Sequence, residues 1–455
     1  MDKIVYILVF LTAIGMMFVT FPDGVAAVSL VFFISVPIIF LIRQTVSAED
    51  GKVLVQIFLI GLVLRLIFGV YLHVFQMREF FGGDALTYDA YAQRILDVWM
   101  GAVPAGDPYY LRATSTGTPG WGVNYLTSFI YLVLGRNILA AQSFCAVIGA
   151  ATAPMVYFCA HKIFGNKRVG TVAAVMVAVF PAFIIWSGQL LKDGLIIFLL
   201  VLAMTMVLQL QEKFNYFAVI FLLFSLFGIL SLRFYIFYMV AIAVAGSFIV
   251  GQSSSVKAIL RGFVLLVVCG VALTYIGVTR TATENFDKWG SLESVQRSRD
   301  DLSRSGQSGF GGDVDVSTTQ GAISAVPIGL TYLMLAPFPW EMANLRQAIT
   351  LPEVLVWWAL LPLFVYGLLF TIKTRMRGAI PVLIFTLMLT LAYSIFQGNV
   401  GTAYRQRTQI QVFMFIFIAV GWELRKEKKE NRLALRAAKR RQIDEYLKEK
   451  KEKGG

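Results

Sequence analysis

The residues able to do chemistry are few and far apart. In Gly82-Gly83-Asp84-Ala85-Leu86-Thr87-Tyr88-Asp89-Ala90-Tyr91, a carboxylate follows two glycines that end whatever precedes them. On a helix beginning there, Asp84, Tyr88, Tyr91 and Ile95 share one face and Asp89 points away. Asp84 reads equally as a helix cap and as an acid/base. A carboxylate within hydrogen-bond reach takes the proton of a hydroxyl or amine as it attacks, and Asp89 is the second candidate for that work. Further along, Lys192-Asp193 sits where one apolar run stops and the next begins, and Arg233 interrupts another pair of runs. Arg405 and Arg407 follow Gln397-Gly398-Asn399. Ionisable groups at such positions are costly and tend to mark functional sites. Arginine offers phosphate a bidentate fork. Tyr88, Lys192, Asp193, Arg233, Arg405 and Arg407 are therefore candidate contacts to an anionic lipid headgroup. The competing reading for each cation is that it snorkels, or pairs with Asp193 or Glu341. Arg65, near the middle of its apolar run, reads as internally paired.

The elements that must hold these residues are membrane spans. Of 455 residues, 58% are apolar and 15% charged, with a mean hydropathy of +0.71. A soluble domain carries about 25% charged residues, so the composition excludes a soluble multidomain enzyme, a disordered chain and a fibrous one. Apolar runs occur at 4–21, 25–42, 53–75, 138–160, 169–186, 194–211, 216–232, 234–250, 262–278, 352–372, 379–396 and 408–422. Twelve crossings leave both termini on one side. That side repeatedly receives the basic residues: Arg43 and Lys52, Lys162 to Arg168, Lys213, Lys257 and Arg261, and Lys373 to Arg377. By the positive-inside bias it is the cytoplasm.

The expected fold is an all-α polytopic bundle of about twelve transmembrane helices over 1–422, with a basic cytoplasmic tail helix over 423–455. Outer loops run over about 76–137 and 279–352. Within them, 121–135 and 324–338 are apolar but adjoin Gly/Pro punctuation and would break the charge alternation. They read as interfacial or re-entrant helices on the outer side. Ser303–Asp315, rich in glycine, reads as a mobile loop. Glu423–Lys453 holds thirteen basic and seven acidic residues, so +6 of the net +13 lies in the tail. Its Lys/Glu pattern suits a solvated or membrane-surface helix and argues against nucleic-acid binding. Cys145, Cys159 and Cys269 all lie in apolar runs and form no disulfide framework. The two histidines, His73 and His161, are too far apart for a His-based metal or triad site. The outer-loop aspartates leave room for a divalent cation (Mg or Mn), though no motif demands one.

A family resemblance rests on several stretches. They are the early span, an outer loop with Asp84 ahead of Tyr88, Leu134-Gly135 and His161-Lys162-Ile163-Phe164-Gly165. The segment from Ala173 to Pro181 and then Trp186-Ser187-Gly188-Gln189-Leu190-Leu191-Lys192-Asp193 complete the pattern. Over about residues 53–250 the chain resembles GT-C glycosyltransferases. The likeness is to the protein O-mannosyltransferase-like group (glycosyltransferase family 39), which includes the lipid A aminoarabinose transferases. The resemblance implies a multi-spanning enzyme of the plasma (inner) membrane with its site on the extracytoplasmic face. Its donor would be a polyprenyl-phosphate sugar and its acceptor a glycan, lipid or protein, with transfer inverting and Asp84 as base. The family often has Asp-Glu before the tyrosine. Here Ala85 replaces the Glu, leaving Asp89 or Asp107 as the second carboxylate. Runs 4–21 and 25–42 look like an N-terminal addition to the family pattern. Two other classes compete. An O-antigen polymerase or ligase would centre on late-loop arginines such as Arg405 and Arg407, but the late loops hold no histidine. A lipid or glycan transporter would show inverted repeats and paired broken spans, which the sequence lacks.

Overall fold

The computed structural model describes residues 2–80, 83–118, 120–250, 256–304, 308–312, 314–342 and 344–453, with side chains of the last helix described through Leu433. Every named element is a helix. The first three are α1 (Asp2–Val19), α2 (Asp23–Thr45) and α3 (Ala48–Val74). An outer segment follows, with α4 (Asp84–Trp99), α5 (Pro108–Thr114) and α6 (Trp121–Leu134). The central bundle contains α7 (Ile138–Phe164), α8 (Lys167–Val179), α9 (Pro181–Ser187) and α10 (Lys192–Glu212). It continues through α11 (Tyr216–Leu232), α12 (Phe234–Val250) and α13 (Val256–Tyr275). A second outer segment holds α14 (Val278–Trp289), α15 (Leu292–Arg304) and α16 (Thr319–Leu335). The chain closes with α17 (Leu345–Thr374), α18 (Met376–Phe396) and α19 (Val400–Lys453). Among the described residues the sole β contact is an isolated bridge between Gly309 and Asn399.

Most sequence-predicted spans fall on one helix, and 216–232 and 234–250 coincide with α11 and α12, but 169–186 is divided between α8 and α9, and 352–372 and 408–422 lie inside the longer α17 and α19. Among the described residues, six helices are long and apolar enough to cross a membrane on their own, or up to eight if each bent pair is one span. One bent pair is α8 with α9, which meet at 57°. The other is the latter part of α13 with α14, at 80°. The first bend has a plain cause, since Pro181 has no N–H to continue the α8 ladder. Helices α6 and α16 are 14 and 17 residues long, about 21 and 26 Å at helical rise; α11 and α12, also 17 residues, are no longer than α16, so length does not separate α16 from those predicted spans. The backbone of α19 runs unbroken past the tail boundary at 422/423.

The core lies along α3, α7 and α10, which bury most of their surface, whereas α2 and α17 present apolar side chains outward, as lipid-facing helices do. Close approach uses small residues: Gly149 of α7 and Gly194 of α10 both lie against Ser187 with no room for a Cβ. Arg65, fully buried on α3, donates to Ser187 Oγ at 2.7 Å and to the carbonyls of Ala178 and Val177 at 3.0 and 3.2 Å. Those carbonyls were orphaned by the α8–α9 break, so Arg65 is internally satisfied, as expected. The three cysteines are free and buried. Of Ser303–Asp315, read as mobile, residues 305–307 and 313 lie outside the described residues; among the rest, Phe310 N donates to Gly398 O at 2.8 Å and Ser308 O accepts from Val400 N at 2.9 Å.

Candidate active site

Asp84 lies in the first turn of α4, after Gly83, which makes no side-chain cap. It is not the cap. Its carboxylate instead accepts from Arg405 Nη1 at 2.8 Å, and its side chain is 48% exposed. Arg405 reaches it from the start of α19, where Asn399 Oδ1 caps the helix by accepting from Gly401 N and Thr402 N. The other edge of the same guanidinium binds Asp193 Oδ2, at 2.7 Å from Nε and 2.5 Å from Nη2. Asp193 is wholly buried, and its Oδ1 accepts from Arg233 Nη2 at 3.2 Å. Its place in the first turn of α10 favours the carboxylate, because that helix end carries positive potential. Arg233 occupies the one-residue joint between α11 and α12.

Three further side chains close the group. The Lys192 ammonium lies 5.9 Å from the Tyr88 ring centre, and Arg405 lies over the Trp186 ring at 5.5 Å. Gly120 opens α6 at φ +95, and a Cβ there would lie 3.0 Å from Lys192 Nζ. Burial, reinforced by the Asp84 carboxylate, holds the Tyr88 hydroxyl protonated well above its ordinary range. For Arg405, burial pulls towards the neutral form, but Asp193 and Asp84 outweigh it and hold the guanidinium charged. Two carboxylates offset the two arginines, and Lys192, which burial and then Arg233 pull down to about 7, brings at most one further positive charge towards an anionic substrate.

Six of the sequence-predicted residues thus converge: Asp84, Tyr88, Lys192, Asp193, Arg233 and Arg405. Asp89 and Arg407 do not. Five positions along α4 turn Asp89 about 140° away from Asp84. There it accepts from Tyr131 Oη at 2.6 Å and from Arg136 at 2.6 and 3.2 Å. Arg407 is fully buried, donates to the carbonyls of Met334 and Ala336 at 3.2 and 2.9 Å, and stacks near Tyr404 and Trp357. Ala85 is buried in the core, and Asp107 caps α5 while pairing with Arg94 at 3.4 Å. The second carboxylate at the hub is therefore Asp193. Glu341 accepts from Tyr332 rather than pairing with Arg405. Sequence reasoning missed Trp186 and Gly120 as neighbours of the cations. Trp186 lies in a quoted motif, and Gly120 follows Pro119, which lies outside the described residues.

A bound Mg or Mn requires several oxygens at about 2.0–2.2 Å and keeps some of its water. Both oxygens of Asp193 are already on arginines in a dry setting, and no group of three His, Cys, Asp or Glu gathers among the described residues. The donor set does not fit such an ion. A separate polar cleft, lined by Lys167, Arg168, Glu423 and Glu427, lies along α19 about 27 Å from Arg405, at the opposite end of the bundle.

Residues 119–278 match the family model described as dolichyl-phosphate-mannose-protein mannosyltransferase. Two solved structures of the oligosaccharyltransferase from Archaeoglobus fulgidus are similar in fold. One is AglB in complex with an inhibitory peptide and a dolichol-phosphate, at TM-score 0.50 and 15% identity over 86% of this chain. The other is the apo form, at TM-score 0.50 and 14% identity over 87% of this chain. The chain spans about half the length of these proteins, 52% of each. No curated protein matches it. The chain thus shares the fold of these oligosaccharyltransferases, and its segment 119–278 is similar to the dolichyl-phosphate-mannose-protein mannosyltransferases.

Proposed function

We propose that this chain transfers a sugar from a polyprenyl-phosphate donor to an acceptor on the extracytoplasmic face of the plasma (inner) membrane, with both termini in the cytoplasm. The observation that carries the proposal is the convergence on Arg405 of a half-exposed carboxylate, Asp84, and a buried one, Asp193. Asp84 is the end of this chain of charges that a substrate can reach. The basic residues on the cytoplasmic ends of the spans support the orientation. A lipid-phosphate donor is supported by the family description and by the dolichol-phosphate in the similar AglB structure.

Asp84 accepts the proton of the acceptor hydroxyl or amine as that group attacks the anomeric carbon. The carbon–oxygen bond to the lipid phosphate breaks in the same step, inverting the anomeric centre. Lys192 and the charge of the Arg405–Arg233 pair stabilise the departing phosphate, and Asp84 offsets oxocarbenium charge on the sugar. No divalent cation enters the step. The acceptor is a glycan, lipid or protein. An O-antigen polymerase or ligase built on paired late-loop arginines fits less well, because Arg407 is committed to backbone carbonyls. The purified protein in defined membranes, offered a panel of polyprenyl-phosphate sugars, is expected to release the lipid phosphate. Movement of the lipid across the bilayer without turnover of any donor would favour a transporter instead.

A further inference from the structure

Arg299, on the outer-segment helix α15, is fully buried although its helix is strongly polar. Its Nη1 donates to Ile395 O at 2.7 Å, in the last turn of α18, and its Nη2 donates to Gly311 O at 3.0 Å. Between these anchors, Phe310 N donates to Gly398 O at 2.8 Å and Val400 N to Ser308 O at 2.9 Å. Gly311 has φ +61, and a Cβ on it would lie 2.5 Å from Arg299 Nη2; a Cβ on Gly398 would lie 2.8 Å from Arg299 O. The turn 397–399 is thus gripped from outside by α15 and the strand-like piece 308–311. From inside, Gln397 Nε2 donates to Gln406 Oε1. Arg405 immediately precedes Gln406 in the chain.

We infer that Arg299 is a positioning residue: it clamps the α18–α19 turn so that the Arg405 guanidinium stays seated between Asp84 and Asp193. The inference rests on the reading of Arg405 as part of the transfer site. Isolated turns between helices have several accessible conformations, and fixing one is costly in entropy. A guanidinium holding two carbonyls and two backbone rungs holds the turn in one. Loss of register of about 1 Å at a reacting centre is enough to lower a rate by about a hundredfold.

The test compares Arg299→Lys, which reaches one carbonyl but not both, and Gly311→Ala, which crowds the clamp while leaving the arginine. Arg297→Ala on the exposed face of α15 is the control. In the substrate-free full chain, amide hydrogen exchange over 397–403 should speed up in both clamp variants and stay unchanged in Arg297→Ala. In the transfer assay both clamp variants should lose about ten- to a hundredfold in kcat with donor KM near wild type. Unchanged exchange would overturn the clamp. Faster exchange with wild-type kcat, or a kcat loss that only tracks the unfolded fraction, would overturn the positioning role. Because exchange needs no substrate, a wild-type protein without transfer activity would count against the proposed function while the exchange result still decides the clamp.

Discussion

Asp84 and Asp89 stand five residues apart on one helix and bind different arginines, Arg405 at 2.8 Å and Arg136 at 2.6 Å. The first pair joins the outer segment to the last helix; the second ties α4 to the end of α6. Arg136 is 55% exposed but the Asp89 side chain only 12%, so the pair is screened on one side alone, and Tyr131 adds a buried hydrogen bond. Asp89→Asn, which keeps an acceptor for Tyr131, is expected to cost about 1–3 kcal/mol of stability. Transfer should be kept, as read by thermal unfolding beside turnover. Lost turnover at an unchanged Tm would move Asp89 into the reaction.

Asp193 has the opposite setting, with no exposure and an arginine on each oxygen. Removing one partner of a buried ion pair leaves uncompensated charge and costs about 3–5 kcal/mol. Asp193→Ala should therefore lower the unfolding midpoint as well as turnover. A variant as stable as wild type would show that Arg405 and Arg233 find other partners.

Gly120 keeps space open beside Lys192. Alanine there combines a left-handed backbone, unfavourable by about 1–2 kcal/mol, with a Cβ against the ammonium. Gly120→Ala should raise the apparent KM for a lipid-phosphate donor more than it lowers kcat. An unchanged donor KM would remove Lys192 from the phosphate site.

With Asp193 filled by arginines, chelation is expected to leave turnover unchanged. Loss of activity in EDTA, restored by Mn2+ or Mg2+, would contradict the assigned use of the two carboxylates.

Much of the helical framework was legible because apolar runs and their punctuation are local. Pro181 and the Lys192–Asp193 junction mark breaks that the structure keeps. Which arginines face acids was not legible. Arg65, Arg299 and Arg407 cap carbonyls left open where helices end inside the bundle, while Arg233 and Arg405 meet Asp193. The difference depends on where distant helix ends meet. One clue was available. Arg405 and Arg407 are two positions apart, about 200° around a helix, and so face opposite ways. Likewise, helical spacing put Asp84 with Tyr88 and away from Asp89, but nothing local pointed Asp84 at a residue of the last helix.

The most direct test of the account is turnover of Asp84→Asn beside wild type, in defined membranes with a donor that the wild type uses, at matched Tm. Asparagine keeps the shape and a hydrogen bond to Arg405 but cannot take the proton. Lipid-phosphate release should fall by about a hundredfold or more, in line with loss of a general base. Wild-type turnover in Asp84→Asn would contradict the central claim.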